Sequence, residues 1–351
     1  MKILVIGPSW VGDMVMSQSL YITIKQQHPH ALIDVIAPDW CRPILERMPE
    51  INQAITMPFG HGDFSFWGRR AIGRELRSTR YDHAFVLPNS AKSALIPWFA
   101  KIPMRTGWTG EMRYGLLNDL RANKKDFQYM LERYVALAYP KSEMTGSAAL
   151  NGMNSLPKPK LQTDRAAQQQ ALVKFKLDTE RKIIGLCPGA EFGPAKKWPE
   201  RHYATVAQAM CEQGYQVWLF GSQKDRKPCE NIRAAVADEW QSHIHILAGQ
   251  TSLIEVVDLL ALCDTVVSND SGLMHIAASV GCHIVAVYGS TSPQYTPPLA
   301  DKVEIVHTDI ECRPCFQREC KFKHFNCLVE LAPKRVLDAI TRLNAISVSS
   351  C

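Results

Sequence analysis

Lys2-Ile3-Leu4-Val5-Ile6-Gly7-Pro8-Ser9-Trp10-Val11-Gly12-Asp13 opens the chain, and Ile183-Ile184-Gly185-Leu186-Cys187-Pro188-Gly189 restarts the same grammar past its midpoint. In each stretch a short apolar run, rich in β-branched residues, breaks at a glycine turn, and a helical pattern follows. Outward from the first, residues 14–27 read as a helix, 32–37 as a strand, and 75–80 lead into a strand at 83–87. Outward from the second, 202–213 read as a helix closed by Gly214, and 217–220 as a strand closed by Gly221. Residues 265–268 (strand), 273–280 (helix) and 283–288 (strand, ended by Gly289) complete the alternation. Such alternation calls for a parallel sheet covered by helices. Two runs of it predict an α/β protein with two Rossmann-like domains and a cleft between them, ligands meeting the carboxyl ends of the strands.

Residues 142–160 carry Gly146, Gly152, Pro157 and Pro159 with little apolar content and read as the linker. The expected division is 1–160, 161–330, and a C-terminal helical segment at 331–351; a chain of 351 residues exceeds what one core fills. A composition 46% hydrophobic and 21% charged excludes general disorder. No uncharged apolar run reaches the roughly 18 residues a membrane helix needs. The start lacks the basic stretch, long apolar core and cleavage site of a secretory signal. The eleven cysteines, an odd number, include Cys187, Cys211, Cys263 and Cys282 in apolar strand or helix positions, which suits a reducing compartment. A cytoplasmic protein is expected.

The net charge of +6 is unevenly placed: residues 1–160 hold 20 Lys and Arg against 13 Asp and Glu, the remainder 20 against 21. An anionic partner should therefore meet the N-terminal half. Arg69, Arg70, Arg74, Arg77 and Arg80 follow Phe64, Phe66 and Trp67, and a second mixed segment runs through Trp98, Phe99, Lys101, Arg105, Trp108, Arg113 and Tyr114. Guanidinium groups match phosphate and carboxylate oxygens, and the aromatics suit a membrane interface. The plainer alternative is a solvated basic face over ordinary core aromatics. No nucleic-acid-binding motif accompanies the charge.

Four strand exits carry residues suited to chemistry. Asp13 follows two glycines spaced unlike a dinucleotide fingerprint, and no Walker lysine follows; it reads as a helix cap or as a base facing the cleft. Pro188–Glu200 joins a glycine-bearing loop to Lys196 and Lys197, a phosphate cradle or a solvated loop. Asn269-Asp270-Ser271-Gly272 ends a strand and starts a helix whose free amides suit a diphosphate, or Asp270 or Ser271 simply caps it. His275, a turn later, reads as a packing residue. Asp225, after Gly221, is placed to accept bonds from ribose hydroxyls.

Taken together, the opening stretch, the loop from Pro188 to Pro199 and Ser268–Ser279 resemble the heptosyltransferases of glycosyltransferase family nine, across essentially the whole chain. The resemblance implies the glycosyltransferase-B fold, with an acceptor-binding N-terminal domain, a nucleotide-sugar-binding C-terminal domain, and a last helix at 333–343 returning to the N-terminal domain. It implies an inverting transfer of L-glycero-D-manno-heptose from ADP-heptose to the first heptose of the lipopolysaccharide inner core. The partners implied are ADP-heptose, heptosyl-Kdo2-lipid A and the inner leaflet of the inner membrane, with no required cofactor. Carried over residue by residue, the catalytic aspartate falls on Asp13 and the phosphate-binding lysine on Lys196, with Lys197 as its alternative. The donor-binding set is Gly189, Asp225, Asp270, Ser271 and Gly272. The acceptor set is Arg69, Arg70, Arg74, Arg77, Arg105 and Arg113.

Cys312, Cys315, Cys320 and Cys327 lie close in sequence within a basic segment. Their spacing reads as free thiols or adventitious disulfides ahead of a structural zinc site.

Overall fold

The computed structural model describes residues 1–60 and 62–348, and the chain divides into two compact units, Met1–Lys160 and Leu161–Cys351. The first is built on strands β1 (Lys2–Ile6), β2 (Leu32–Pro38), β3 (Ile51–Met57), β4 (His83–Val86), β5 (Met104–Trp108) and β6 (Asp119–Arg121). Their order is β3-β2-β1-β4-β5-β6 and all neighbours are parallel. Helices α1 (Val11–Gln27), α2 (Phe66–Glu75), α3 (Leu95–Phe99) and α4 (Met130–Val135) complete it.

Helix α1 is buried along most of its length, so polar Ser17 and Thr23 bond back to the carbonyls of Met14 and Ser19, both at 2.7 Å. Gly7 is needed where β1 passes beneath it: a Cβ there would stand 2.9 Å from the Met14 side chain and 3.1 Å from the Ile36 carbonyl. The stretch expected as a linker is tied down at its end. Gln18 donates to the Lys160 carbonyl at 3.0 Å and accepts from the Lys160 amide at 2.9 Å. Strands β3, β5 and β6 escape the apolar-run reading, because β3 is a half-exposed edge strand and β6 is only Asp-Leu-Arg.

The second unit repeats the topology. Strands β7 (Ile183–Cys187), β8 (Gln216–Leu219), β9 (Ile244–Ile246), β10 (Thr265–Asn269), β11 (His283–Val287) and β12 (Val303–Val306) lie in the order β12-β11-β10-β7-β8-β9, again all parallel. Its helices are α5 (Arg165–Phe175), α6 (Glu200–Glu212), α7 (Arg226–Ala234), α8 (Leu253–Leu260), α9 (Gly272–Ser279), α10 (Asn326–Val329) and α11 (Pro333–Val348). Strand order reverses between β1 and β4 in one sheet and between β7 and β10 in the other, and such reversals open a crevice at the carboxyl edge.

The last helix spends its apolar face within the second unit. Val336, Ala339, Ile340 and Leu343, at the i, i+3, i+4, i+7 spacing of one helical face, are buried in a single core with Ile184, Val285 and Val306. This stripe closes the second unit over β11 and β12, because the flank of an edge strand needs apolar cover. Arg342 fastens it further through Glu304 at 2.6 Å.

Candidate functional site

At the carboxyl edge of the first sheet, β1 exits into Gly7–Gly12 and α1 begins at Val11. Trp10, not Asp13, is the N-cap residue, and its own side chain makes no cap bond. Asp13 stands in the first turn, part-exposed, where the helix's positive end favours a carboxylate. Exposed Trp40 braces the loop by donating from Nε1 to the Ser9 carbonyl at 2.8 Å. Lys124, in a 3-10 turn after β6, is close enough to couple electrostatically with Asp13. Burial lowers its pKa, Arg133 and Arg113 push the same way, and Asp13 opposes them. Nothing in the sequence singles out Lys124, because Lys124-Lys125 looks like an ordinary solvated pair.

At the carboxyl edge of the second sheet, three exits meet. Asn269 stitches two of them together: its side chain donates to the Pro188 carbonyl at 2.7 Å and accepts from the Trp198 amide and the Tyr203 hydroxyl, each at 3.1 Å. Asp270 is 4% exposed and is gripped by Lys196 Nζ and Thr291 Oγ1, both at 2.6 Å. Thr291 comes from the loop after β11, an exit whose glycine was legible although the threonine was not. Ser271 is the N-cap of α9 and makes no side-chain cap bond, so neither capping alternative holds and the first-turn amides face outward without one.

Asp225 is also buried. It accepts from the Ser222 amide at 3.0 Å, the Ser222 hydroxyl at 2.8 Å and Lys197 Nζ at 3.3 Å. A Cβ at Gly189 would stand 2.5 Å from its Oδ2, so glycine is what lets this carboxylate lie against the β7 exit. The two neighbouring lysines therefore diverge, Lys196 toward the start of α9 and Lys197 toward Asp225. His275 is buried one turn into α9, and burial lowers its pKa to about 4, with Asp270 opposing and Lys196 adding. It is neutral at ordinary pH.

Residues 69–326 match glycosyltransferase family 9 (heptosyltransferase). The chain belongs to this family. It is 52% identical over 344 residues to lipopolysaccharide heptosyltransferase 2 of Salmonella typhimurium (strain LT2), covering 98% of each chain. It is 50% identical over 344 residues to lipopolysaccharide heptosyltransferase 2 of Escherichia coli (strain K12), again with 98% of each covered. Among solved structures, that of E. coli ADP-heptose lps heptosyltransferase II superposes with a TM-score of 0.88 at 49% identity, covering 98% of both chains. The fold is accordingly of the glycosyltransferase-B class, and the protein is a glycosyltransferase.

Within this family 9 glycosyltransferase the expected acceptor arginines separate. Arg69 is 5% exposed and donates to the carbonyls of Phe64 at 2.8 Å and Asp63 at 3.1 Å. Arg113 is 1% exposed and donates to the carbonyls of Trp108 and, at 2.6 Å, Pro88; burial lowers its pKa to about 10, against the pull of Glu111. Both guanidinium groups are turned inward and brace the backbone. Arg105 is half spent the same way, on the carbonyls of Leu116 and Ile102. Arg70 is part-exposed and Arg74 and Arg77 are exposed, with Arg77 donating from Nε to the Phe99 carbonyl at 2.8 Å.

The cysteine segment proves to be a buttress of the second site. The Ala195 amide donates to the Arg318 carbonyl at 3.1 Å, and Arg313 donates to the carbonyls of Gly289 and Thr291. Phe192 lies between Lys196 and Arg318, 4.9 and 5.5 Å from its ring centre. Cys312, Cys315, Cys320 and Cys327 line one cavity and are free thiols. Among the described residues no group of three or more Cys, His, Asp or Glu side chains is placed to hold a metal ion. No helix among the described residues is long and apolar enough to cross a membrane.

Proposed function

We propose that this glycosyltransferase transfers L-glycero-D-manno-heptose from ADP-heptose to the first heptose of the lipopolysaccharide inner core. About half-identity to heptosyltransferases of the second type along the whole chain supports the choice of sugar and acceptor. The observation that carries the mechanism is the buried Asp270–Lys196–Thr291 cluster at an uncapped helix start, on the same edge as Asp225. Lys196 and the first amides of α9 receive the diphosphate, and Asp225 receives the ribose hydroxyls. Lys197, held at Asp225, is the lesser phosphate candidate.

Asp13 takes the proton of the acceptor hydroxyl as that oxygen attacks the anomeric carbon opposite the departing ADP, inverting the centre. Negative charge grows on the leaving diphosphate, and positive groups already fixed in place stabilise it without reorganising. Lys124, within electrostatic reach of Asp13, meets the anionic acceptor. The protein works in the cytoplasm, against the membrane that holds its lipid-anchored acceptor. Incubation with ADP-heptose and Kdo2-lipid A acceptors bearing no, one or two heptoses tests the assignment through ADP release. Extension of the one-heptose acceptor alone is expected; preference for another acceptor, or ADP release by none, overturns it.

A further inference from the structure

Buried Arg69 and Arg113 are used inside the fold, but the rest of the basic segment faces outward. Trp67, Arg70, Arg74 and Arg77 follow at intervals of three, four and three residues, which places them along one face of α2 and its 3-10 extension Leu76–Thr79. Trp67 is 72% exposed, Trp98 44% and Met104 49%, and Arg70 rests over the Trp67 ring at 5.4 Å. Arg70, Arg74, Arg77, Lys101 and Arg105 line one open concavity with Trp98, and no carboxylate contributes to that lining. None of these five cations forms a salt bridge among the described residues.

Topology sets this face apart from the chemistry. Pro103 and Arg105 stand where β5 enters the sheet, and α2 ends just before the chain enters β4, so the concavity lies toward the amino edge. Asp13 stands at the carboxyl edge, a strand length of about 17 Å away. The stripe is therefore not placed to touch a reacting hydroxyl. Guanidinium groups that meet no carboxylate, flanked by exposed indoles, are what the headgroup layer of a bilayer accommodates: cations meet phosphate, and tryptophan settles at the polar–apolar boundary.

We propose that the face bearing Trp67, Arg70, Arg74, Arg77, Trp98 and Lys101 seats the first unit on a bilayer of anionic phospholipid. Its use rests on the lipid-anchored acceptor proposed above; the contact itself does not. Co-sedimentation of the full chain with phosphatidylglycerol-containing and pure phosphatidylcholine vesicles, across a salt series, tests it. The unaltered protein should prefer the anionic vesicles and release them as salt rises. Arg74→Glu with Lys101→Glu should weaken that binding by more than about tenfold, since one basic residue at an anionic surface contributes roughly fivefold. Trp67→Ala should weaken binding to both vesicle types. Turnover on a deacylated, water-soluble acceptor should be unchanged in Trp67→Ala and in Lys101→Glu alone. Should the double reversal lower Tm, Arg74→Gln with Lys101→Gln carries the comparison.

Equal binding to both vesicle types by the unaltered protein overturns the proposal, as does unchanged binding of a well-folded variant. Loss of turnover on the deacylated acceptor with intact vesicle binding also overturns it, assigning the face to the sugar acceptor instead. Failure of heptose transfer by the unaltered protein would sink the proposed reaction and leave the vesicle result standing.

Discussion

Asp13 and Asp270 each follow a central strand beside the reversal point of its sheet, yet the two units treat them differently. Asp270 is sealed from water, and Lys196 and Thr291 fix its carboxylate from two sides. Asp13 stays part-exposed in the first turn of a helix, with Lys124 within electrostatic reach. A carboxylate locked in an ion pair sets geometry, whereas one that must take a proton needs access to substrate. In the proposed reaction, chemistry and placement thus fall to opposite sides of the reversal point, the exit of β1 in one unit and the exit of β10 in the other.

The sharpest way to break this contrast is to neutralise each carboxylate without changing its shape. Asp13→Asn should lower turnover by roughly 100- to 10,000-fold while leaving ADP-heptose affinity, read by calorimetry, essentially unaltered. Near-normal turnover would remove Asp13 as the base. Asp270→Asn should do the reverse, weakening donor binding and lowering Tm, because Lys196 is left largely buried without its counter-charge at a cost of about 3 kcal/mol. Unchanged Tm and donor affinity would mean the pair has no placing role.

A smaller effect belongs to Gly189→Ala. The added methyl must displace the Asp225 carboxylate, so donor KM should rise about tenfold, as loss of a charged hydrogen bond would cause, with kcat preserved. A kcat effect at unchanged KM would dissociate Asp225 from the donor. The smallest concerns pH. The folded pKa of His275, about 4, lies below its ordinary 6.5, so the stability gained by holding it neutral is present above pH 6.5 and lost as pH falls toward 4. His275→Gln should flatten the denaturation midpoint across that window, although His83, also lowered to about 4 chiefly by burial, keeps a slope for the first unit. An identical slope in the variant would mean that His275 does not contribute to it.

Most of the scaffold was legible because buried strands must be apolar. β1, β7, β8, β10 and β11 announce themselves, and glycine marks most of their exits. β3, β6 and β9 stayed hidden, because a half-exposed edge or a three-residue strand carries no such pattern. Site residues at strand exits were legible for the same reason. Thr291 and Lys124 were not, since each matters only through a neighbour far away in the chain. The arginines show the converse: Arg69 and Arg70 are adjacent and chemically identical, yet one braces two carbonyls inside the fold and the other faces solvent.

The sequence by itself determined two parallel α/β units and where along each strand the functional loops begin, because hydrophobic periodicity and glycine turns act locally. Only the tertiary structure decided which lysine meets which carboxylate, where the last helix spends its apolar stripe, and which cations reach the surface. Those outcomes depend on distances between segments remote in the chain, and burial, not composition, decides whether a charge finds a partner there or is left to solvent.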